Sequence, residues 1–85
     1  MYYVYVLQSL SDGSRFYLGW SSNLRKRLAA HNAGKNKATK GSQWRLVYYE
    51  AWFSEQAAIK REYKLKHDGR SKRRLMERIK ASLEQ

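Results

Sequence analysis

Tyr5, Tyr17, Arg27, His31 and Glu62 combine useful side-chain chemistry with informative spacing. Arg27 and His31 stand one helical turn apart, so on a helix both project the same way beside Leu24 and Leu28. A guanidinium suits an oxyanion and an imidazole suits proton transfer near neutral pH. A surface arginine beside a partly buried, capped histidine explains the spacing as well, and spacing alone favours that plainer reading. Glu62 lies between Ile59 and Leu65, with Lys60, Arg61 and Lys64 around it. A pairing with Lys66 one turn later accounts for it too. Of the seven acids, Asp12 and Asp68 fall in turn sequences, Glu55 at a helix start, and Glu77 and Glu84 on an expected solvent face. Glu50 and Glu62 are left as candidate metal ligands, and one carboxylate can suffice because magnesium keeps most of its waters. Most of the seven tyrosines read as core filler. Tyr5 and Tyr17 differ because they fall on opposite arms of an expected hairpin. Leu18-Gly19 follows Tyr17, and the glycine leaves room for a close approach.

The elements that must position these groups are legible in the pattern. Tyr2 to Leu7 is β-branched or aromatic almost throughout, Ser11-Asp12-Gly13-Ser14 supplies turn chemistry, and Arg15 to Trp20 is a second run. This predicts a β-hairpin. Ser22 or Asn23 caps a helix that ends near Asn32 to Gly34. Lys35 to Ser42 has three lysines and no periodicity, and reads as a mobile basic loop. Trp44 to Phe53 predicts a third strand. Ser54 caps a second helix with Glu55 in its first turn and Ala58, Ile59, Glu62 and Leu65 along one stripe. Asp68-Gly69 breaks that helix. From Ser71, Leu75, Met76, Ile79 and Leu83 define the apolar face of a third, whose other faces carry Lys72, Arg73, Arg74, Arg78 and Lys80. The expected class is α+β, a small three-stranded antiparallel sheet flanked by three helices in the order ββαβαα.

A chain of 85 residues has room for one domain and a modest core, so a single domain over residues 1–85 is expected. Without cysteine, a disulfide framework, a thiolate zinc site and a thiol nucleophile are all excluded. The longest apolar run, Tyr2 to Leu7, falls far short of the roughly 20 residues a membrane span needs. A soluble cytoplasmic protein is the expectation. Eighteen Lys and Arg against seven Asp and Glu give a formal charge of +11, which points to a polyanionic partner, nucleic acid first. A solvated basic face without a partner is the plain alternative. A membrane-surface helix is weaker, because the charge is spread from Arg15 to Lys80.

In order and spacing, Tyr3-Val4-Tyr5, Tyr17-Leu18-Gly19, Arg27, His31 and Glu62 resemble the GIY-YIG nuclease superfamily. The resemblance covers nearly the whole chain. It is strongest to small single-domain bacterial members, akin to the N-terminal domain of the excision-repair nuclease UvrC. It runs through Asn23 to Asn32, Ala38-Thr39-Lys40, Trp44 to Tyr48 and Ala58 to Glu62. The first motif has Tyr-Val-Tyr for Gly-Ile-Tyr, and the second has Leu18 for isoleucine. No asparagine follows Asn36, where many relatives place one after the glutamate.

The resemblance implies a metal-dependent DNA endonuclease acting in repair, recombination or processing with one divalent ion, magnesium or manganese. It makes Tyr5 and Tyr17 the motif tyrosines, Arg27 the phosphate contact, His31 an aid to proton transfer and Glu62 the metal ligand. Which tyrosine activates water is left open. Lys35, Lys37, Lys40, Lys72 and Arg73 would join Arg27 in holding nucleic acid. DNA is the expected partner, with RNA, oligomeric state and a specificity-supplying partner protein left open. The alternative is a non-catalytic DNA- or RNA-binding module with Trp20 or Trp44 stacking on bases. A purely structural domain would need the motif positions to coincide by chance.

Overall fold

The computed structural model describes residues 1–84. Its elements run β1 (Tyr2–Ser9), β2 (Phe16–Ser21), α1 (Leu24–Asn32), β3 (Trp44–Trp52), α2 (Glu55–His67) and α3 (Gly69–Leu83). All pairings are antiparallel and the strand order is β2-β1-β3, so β1 is the central strand. This is the expected α+β order, ββαβαα. The central position explains why Tyr2 to Leu7 does not alternate polar with apolar. Val4, Tyr5, Val6 and Leu7 are all buried because each face of β1 is covered.

Val4 and Val6 pack on one face against Ala58 and Leu65 of α2 and Leu75 and Ile79 of α3. Tyr5 and Leu7 pack on the other with Trp44, Tyr17, Leu46, and Leu24 and Leu28 of α1. The sheet is therefore sandwiched between α1 and the α2–α3 pair. Burying each Val or Leu side chain contributes on the order of 2 kcal/mol. A β-bulge between Val6 and Leu7 pairs Val6 with Tyr48 but Leu7 with Leu46. The extra residue, Val47, turns Leu46 toward α1 and Tyr48 toward α2 and α3.

Helix starts follow the expected chemistry. The Asn23 side chain accepts from Lys26 N at 3.0 Å, and that of Ser54 from Ala57 N at 3.0 Å. The third helix begins earlier than Ser71. Asp68 closes α2 and also caps α3, its carboxylate accepting from Arg70 N at 3.1 Å and Ser71 Oγ at 2.8 Å. The apolar stripe of α2 also differs from expectation, for Ile59 is 37% exposed. Ala58 and Leu65, seven apart, form the seam, and Ile59 lies about 100° around the helix from Ala58. Among the described residues, no helix is long and apolar enough to cross a membrane.

Candidate active site

Tyr5 pairs across the hairpin with Gly19. A Cβ built on Gly19 would lie 2.7 Å from Tyr5 Oη, so the ring crosses the space a side chain would fill. Its hydroxyl reaches His31 Nε2 at 2.8 Å. His31 comes from the last turn of α1 and is fully buried; its Nδ1 stands 2.7 Å from Thr39 Oγ1. Thr39 is equally buried, and its hydroxyl donates to Asn36 O at 3.3 Å.

The proton directions are assigned from the hydrogen-bond partners of Thr39. With the Thr39 proton given to Asn36, Thr39 Oγ1 accepts from His31 Nδ1–H. That leaves Nε2 as the acceptor of the Tyr5 O–H. Burial, aided by the Arg27 charge, lowers the His31 pKa below its usual value and keeps the ring neutral. Burial likewise pushes the Tyr5 phenol well above the usual tyrosine range; Tyr17 and Glu62 add to the rise and Arg27 opposes it. The Tyr17 ring lies 4.7 Å from that of His31 and 6.4 Å from that of Tyr5, centroid to centroid. Its oxygen accepts from Asn36 Nδ2 at 3.4 Å.

The segment expected to be a mobile basic loop is instead pinned at several points. Thr39 O accepts from Trp44 Nε1 at 3.0 Å and Ala38 O from Arg15 Nη2 at 2.9 Å. Asn32 braces the return into β3, its Oδ1 accepting from Trp44 N at 2.6 Å. A buried threonine holding a histidine left no periodic signature. Ala38-Thr39-Lys40 stood out only through the resemblance, which assigned Thr39 no role. Trp44 is 3% exposed with its indole N–H engaged, and Trp20 packs against the Val4–Val6 core. Trp44 therefore offers no free face for stacking on bases, while Trp20 is only half-buried.

Arg27 is exposed on α1 and lines a recess of about 300 Å³ with Ser21, Ser22, Asn23, Lys26 and Ala30. A larger groove of about 620 Å³ lies along Leu24, Arg25 and Leu28 toward Tyr3 and Tyr49. It contains none of the groups with acid–base or oxyanion chemistry found around His31. Glu62, on α2, is half-buried, and its Oε2 stands 3.3 Å from Lys66 Nζ. Tyr5, Tyr17 and His31 are thus in direct contact, while Arg27 and Glu62 act on Tyr5 through their charge. Lys35, Lys37 and Lys40 sit exposed on the segment that Thr39 ties to His31. Lys72 and Arg73 are exposed on α3, with no contact to this cluster.

Glu50 does not stand as a metal ligand. Its carboxylate accepts from Arg61 Nε at 2.6 Å, Arg61 Nη2 at 3.3 Å, Trp52 Nε1 at 3.1 Å and the Tyr48 hydroxyl. Burial would raise its pKa, but these hydrogen bonds outweigh burial and lower it. Among the described residues, no cluster of three or more His, Asp or Glu side chains could hold a metal ion. Glu62 could hold a hard cation only as a single carboxylate, with water and a substrate phosphate supplying the other ligands.

The buried neutral His31 gives a pH prediction. Because its folded pKa lies below 6.5, its contribution to stability is complete above about pH 6.5 and is lost as pH falls through the folded value. Urea unfolding of the parent should therefore weaken on acidification more steeply than that of His31→Gln, by up to about 1.4 kcal/mol per pH unit. Parallel curves for the two proteins would refute the assignment of a buried neutral ring.

Residues 1–75 match the GIY-YIG catalytic domain. The chain is 42% identical over 74 residues to a UPF0213 protein of Lactiplantibacillus plantarum, covering 82% of this chain and 71% of the relative. It is 41% identical over 68 residues to one of Clostridium perfringens, covering 78% and 71% respectively. A UPF0213 protein of Halobacterium salinarum is 36% identical over 75 residues, covering 86% of this chain and 95% of its own length. No solved structure matches. Both motif tyrosines, the helix with Arg27 and His31, and Glu62 all fall inside the matched residues, and the chain belongs to the GIY-YIG catalytic-domain family.

Proposed function

We propose that this protein is a divalent-metal-dependent DNA endonuclease that hydrolyses a phosphodiester at the Tyr5–Tyr17–His31 cluster. The observation that carries this reading is the buried chain of hydrogen bonds from Tyr5 through His31 to Thr39, which can serve as a proton wire. The Tyr5 proton is committed to His31, so its oxygen is free to accept a proton from an attacking water while its own passes to neutral Nε2. The phenolate never has to exist free in solution, which answers the problem of a base whose pKa burial has raised. Tyr17 has the opposite polarity. Its oxygen accepts from Asn36, leaving its O–H to donate to a phosphate oxygen.

Arg27, exposed in its recess and without an acidic partner among the described residues, supplies a fork to the same phosphate. Glu62, with its own water shell and the phosphate, would hold the cation, magnesium or manganese. When bound, that ion polarises the phosphodiester and neutralises charge on the leaving oxygen. Lys35, Lys37 and Lys40 extend the grip to flanking phosphates, as do Lys72 and Arg73 from α3. Such an activity belongs with DNA repair, recombination or processing in the cytoplasm.

The test is cleavage of labelled duplex, flap, branched and single-stranded DNA with magnesium or manganese. Tyr5→Phe should lower the rate about a hundredfold or more and abolish the fall in activity as His31 protonates below about pH 6.5. Tyr17→Phe should lower the rate but keep that acid limb. If the parent binds these DNAs and cuts none, the protein is a non-catalytic binding module.

A further inference from the structure

Glu50 belongs to a second polar cluster, on the edge strand opposite the one that carries Tyr17 and Gly19. Paired with Val4, it faces α2 and α3, where Arg61 descends onto it. A carboxylate offers about four lone-pair directions. Tyr48, Trp52 and the two Arg61 nitrogens take them all.

Arg74 and Arg78 stand one turn apart on α3 and line a cavity of about 190 Å³ with Arg61, Ser71 and Leu75. Among the described residues neither pairs with an acid, and Glu50 has no lone pair left for them. Like charges at this spacing repel. Arg61 adds a third guanidinium, locked in place through Nε and Nη2 while Nη1 stays uncommitted. Arg78 also borders a neighbouring recess with Tyr48 and Ser82, so the basic surface continues toward the end of α3. The cavity is open to solvent and large enough to admit a phosphate group.

We propose that Arg61, Arg74 and Arg78 form a second phosphate site that takes a backbone phosphodiester of nucleic acid away from the candidate active site; Ser71 borders it, but its hydroxyl is already given to Asp68. Glu50 is then the residue that orients Arg61, not a metal ligand. The inference rests on nucleic acid being the partner and is independent of catalysis.

The experiment is fluorescence anisotropy of a labelled DNA duplex with EDTA present, repeated across a salt series. Arg74→Gln/Arg78→Gln should weaken binding roughly tenfold and flatten the slope of log affinity against log salt by about 1. Arg70→Gln/Lys80→Gln removes the same charge from α3 outside the cavity and should do clearly less. Glutamine is a good helix former, and circular dichroism of both variants checks that α3 persists. Equal losses in the two double variants would mean diffuse charge only and would overturn the site. In a second arm, inorganic phosphate is titrated without DNA while the Arg61 Nε–H resonance is followed. Saturation at micromolar phosphate, with no effect of the cavity variant on DNA binding, would make this a free-anion site and overturn the nucleic-acid assignment. Because no metal is present, these outcomes are separate from any failure to cut.

Discussion

Glu62→Gln should reduce magnesium- or manganese-dependent cleavage about a thousandfold or more while DNA affinity holds or rises. The carboxylate is the one acid whose charge bears on Tyr5, and among the described residues no cluster of three or more His, Asp or Glu side chains offers a metal site instead. Losing a Lewis acid from a developing oxyanion removes several kcal/mol, and about 4 kcal/mol corresponds to a thousandfold. The fold should survive, because among the described residues the only ion pair lost is the partly exposed contact with Lys66, worth at most about 1 kcal/mol. Binding should not suffer, since an acid is being removed from the surface proposed to meet phosphates. Single-turnover cleavage and anisotropy on the same protein check both halves. A rate within a few-fold of the parent would remove Glu62 from the metal site.

Gly19→Ala is expected to be nearly as damaging, for a steric reason. The new methyl would lie 2.7 Å from Tyr5 Oη, 2.9 Å from Cζ and 3.3 Å from Cε1. A flexible side chain elsewhere could swing aside, but this ring is buried and hydrogen-bonded to His31. Either β2 separates from β1 or Tyr5 leaves His31. Overpacking of this kind costs about 1–3 kcal/mol, and loss of the acid–base contact about a hundredfold or more in rate. Backbone strain is not the cause, for the positive-φ glycines are Gly34 and Gly41. Adding Tyr5→Phe to Gly19→Ala removes the nearest clashing atom. The pair should regain part of the lost melting temperature and none of the activity. If Gly19→Ala alone matches the parent in both respects, the ring does not need that space.

What the sequence made legible follows from how local each signal is. The β-branched and aromatic run of β1, the Asn23 and Ser54 caps, and the shared direction of Arg27 and His31 depend on neighbours within a turn or a strand. All can be read from the chain alone. The Glu62–Lys66 pair was also readable at its spacing, and it coexists with the chemical role proposed for Glu62. The misreadings involve long-range partners. Glu50 looked free because Arg61 lies on another element, and Lys35 to Ser42 looked mobile because its anchors are Arg15, His31 and Trp44. Ile59 looked buried because the seam of α2 is set by where β1 and β2 lie beneath it, which helix periodicity does not report. Glycine at position 19 hinted at a close approach, but only the register with Tyr5 says what approaches.

The central place of β1 also bears on how the chain assembles. It meets β2 across a short connection, but its pairing with β3 runs from Ser9 with Trp44 to Tyr2 with Trp52, a far longer loop to close. Local pairing forms faster than distant pairing. The Tyr5–Gly19 half of the site therefore arises with the nascent hairpin, while the Trp44 clamp on Thr39 waits for β3. During synthesis one whole edge of β1 stands unpaired, and Tyr2 to Leu7 carries no charged residue to guard it. Until Trp44 to Trp52 has left the ribosome, the strand at the heart of the site is also the stretch most open to pairing with another copy.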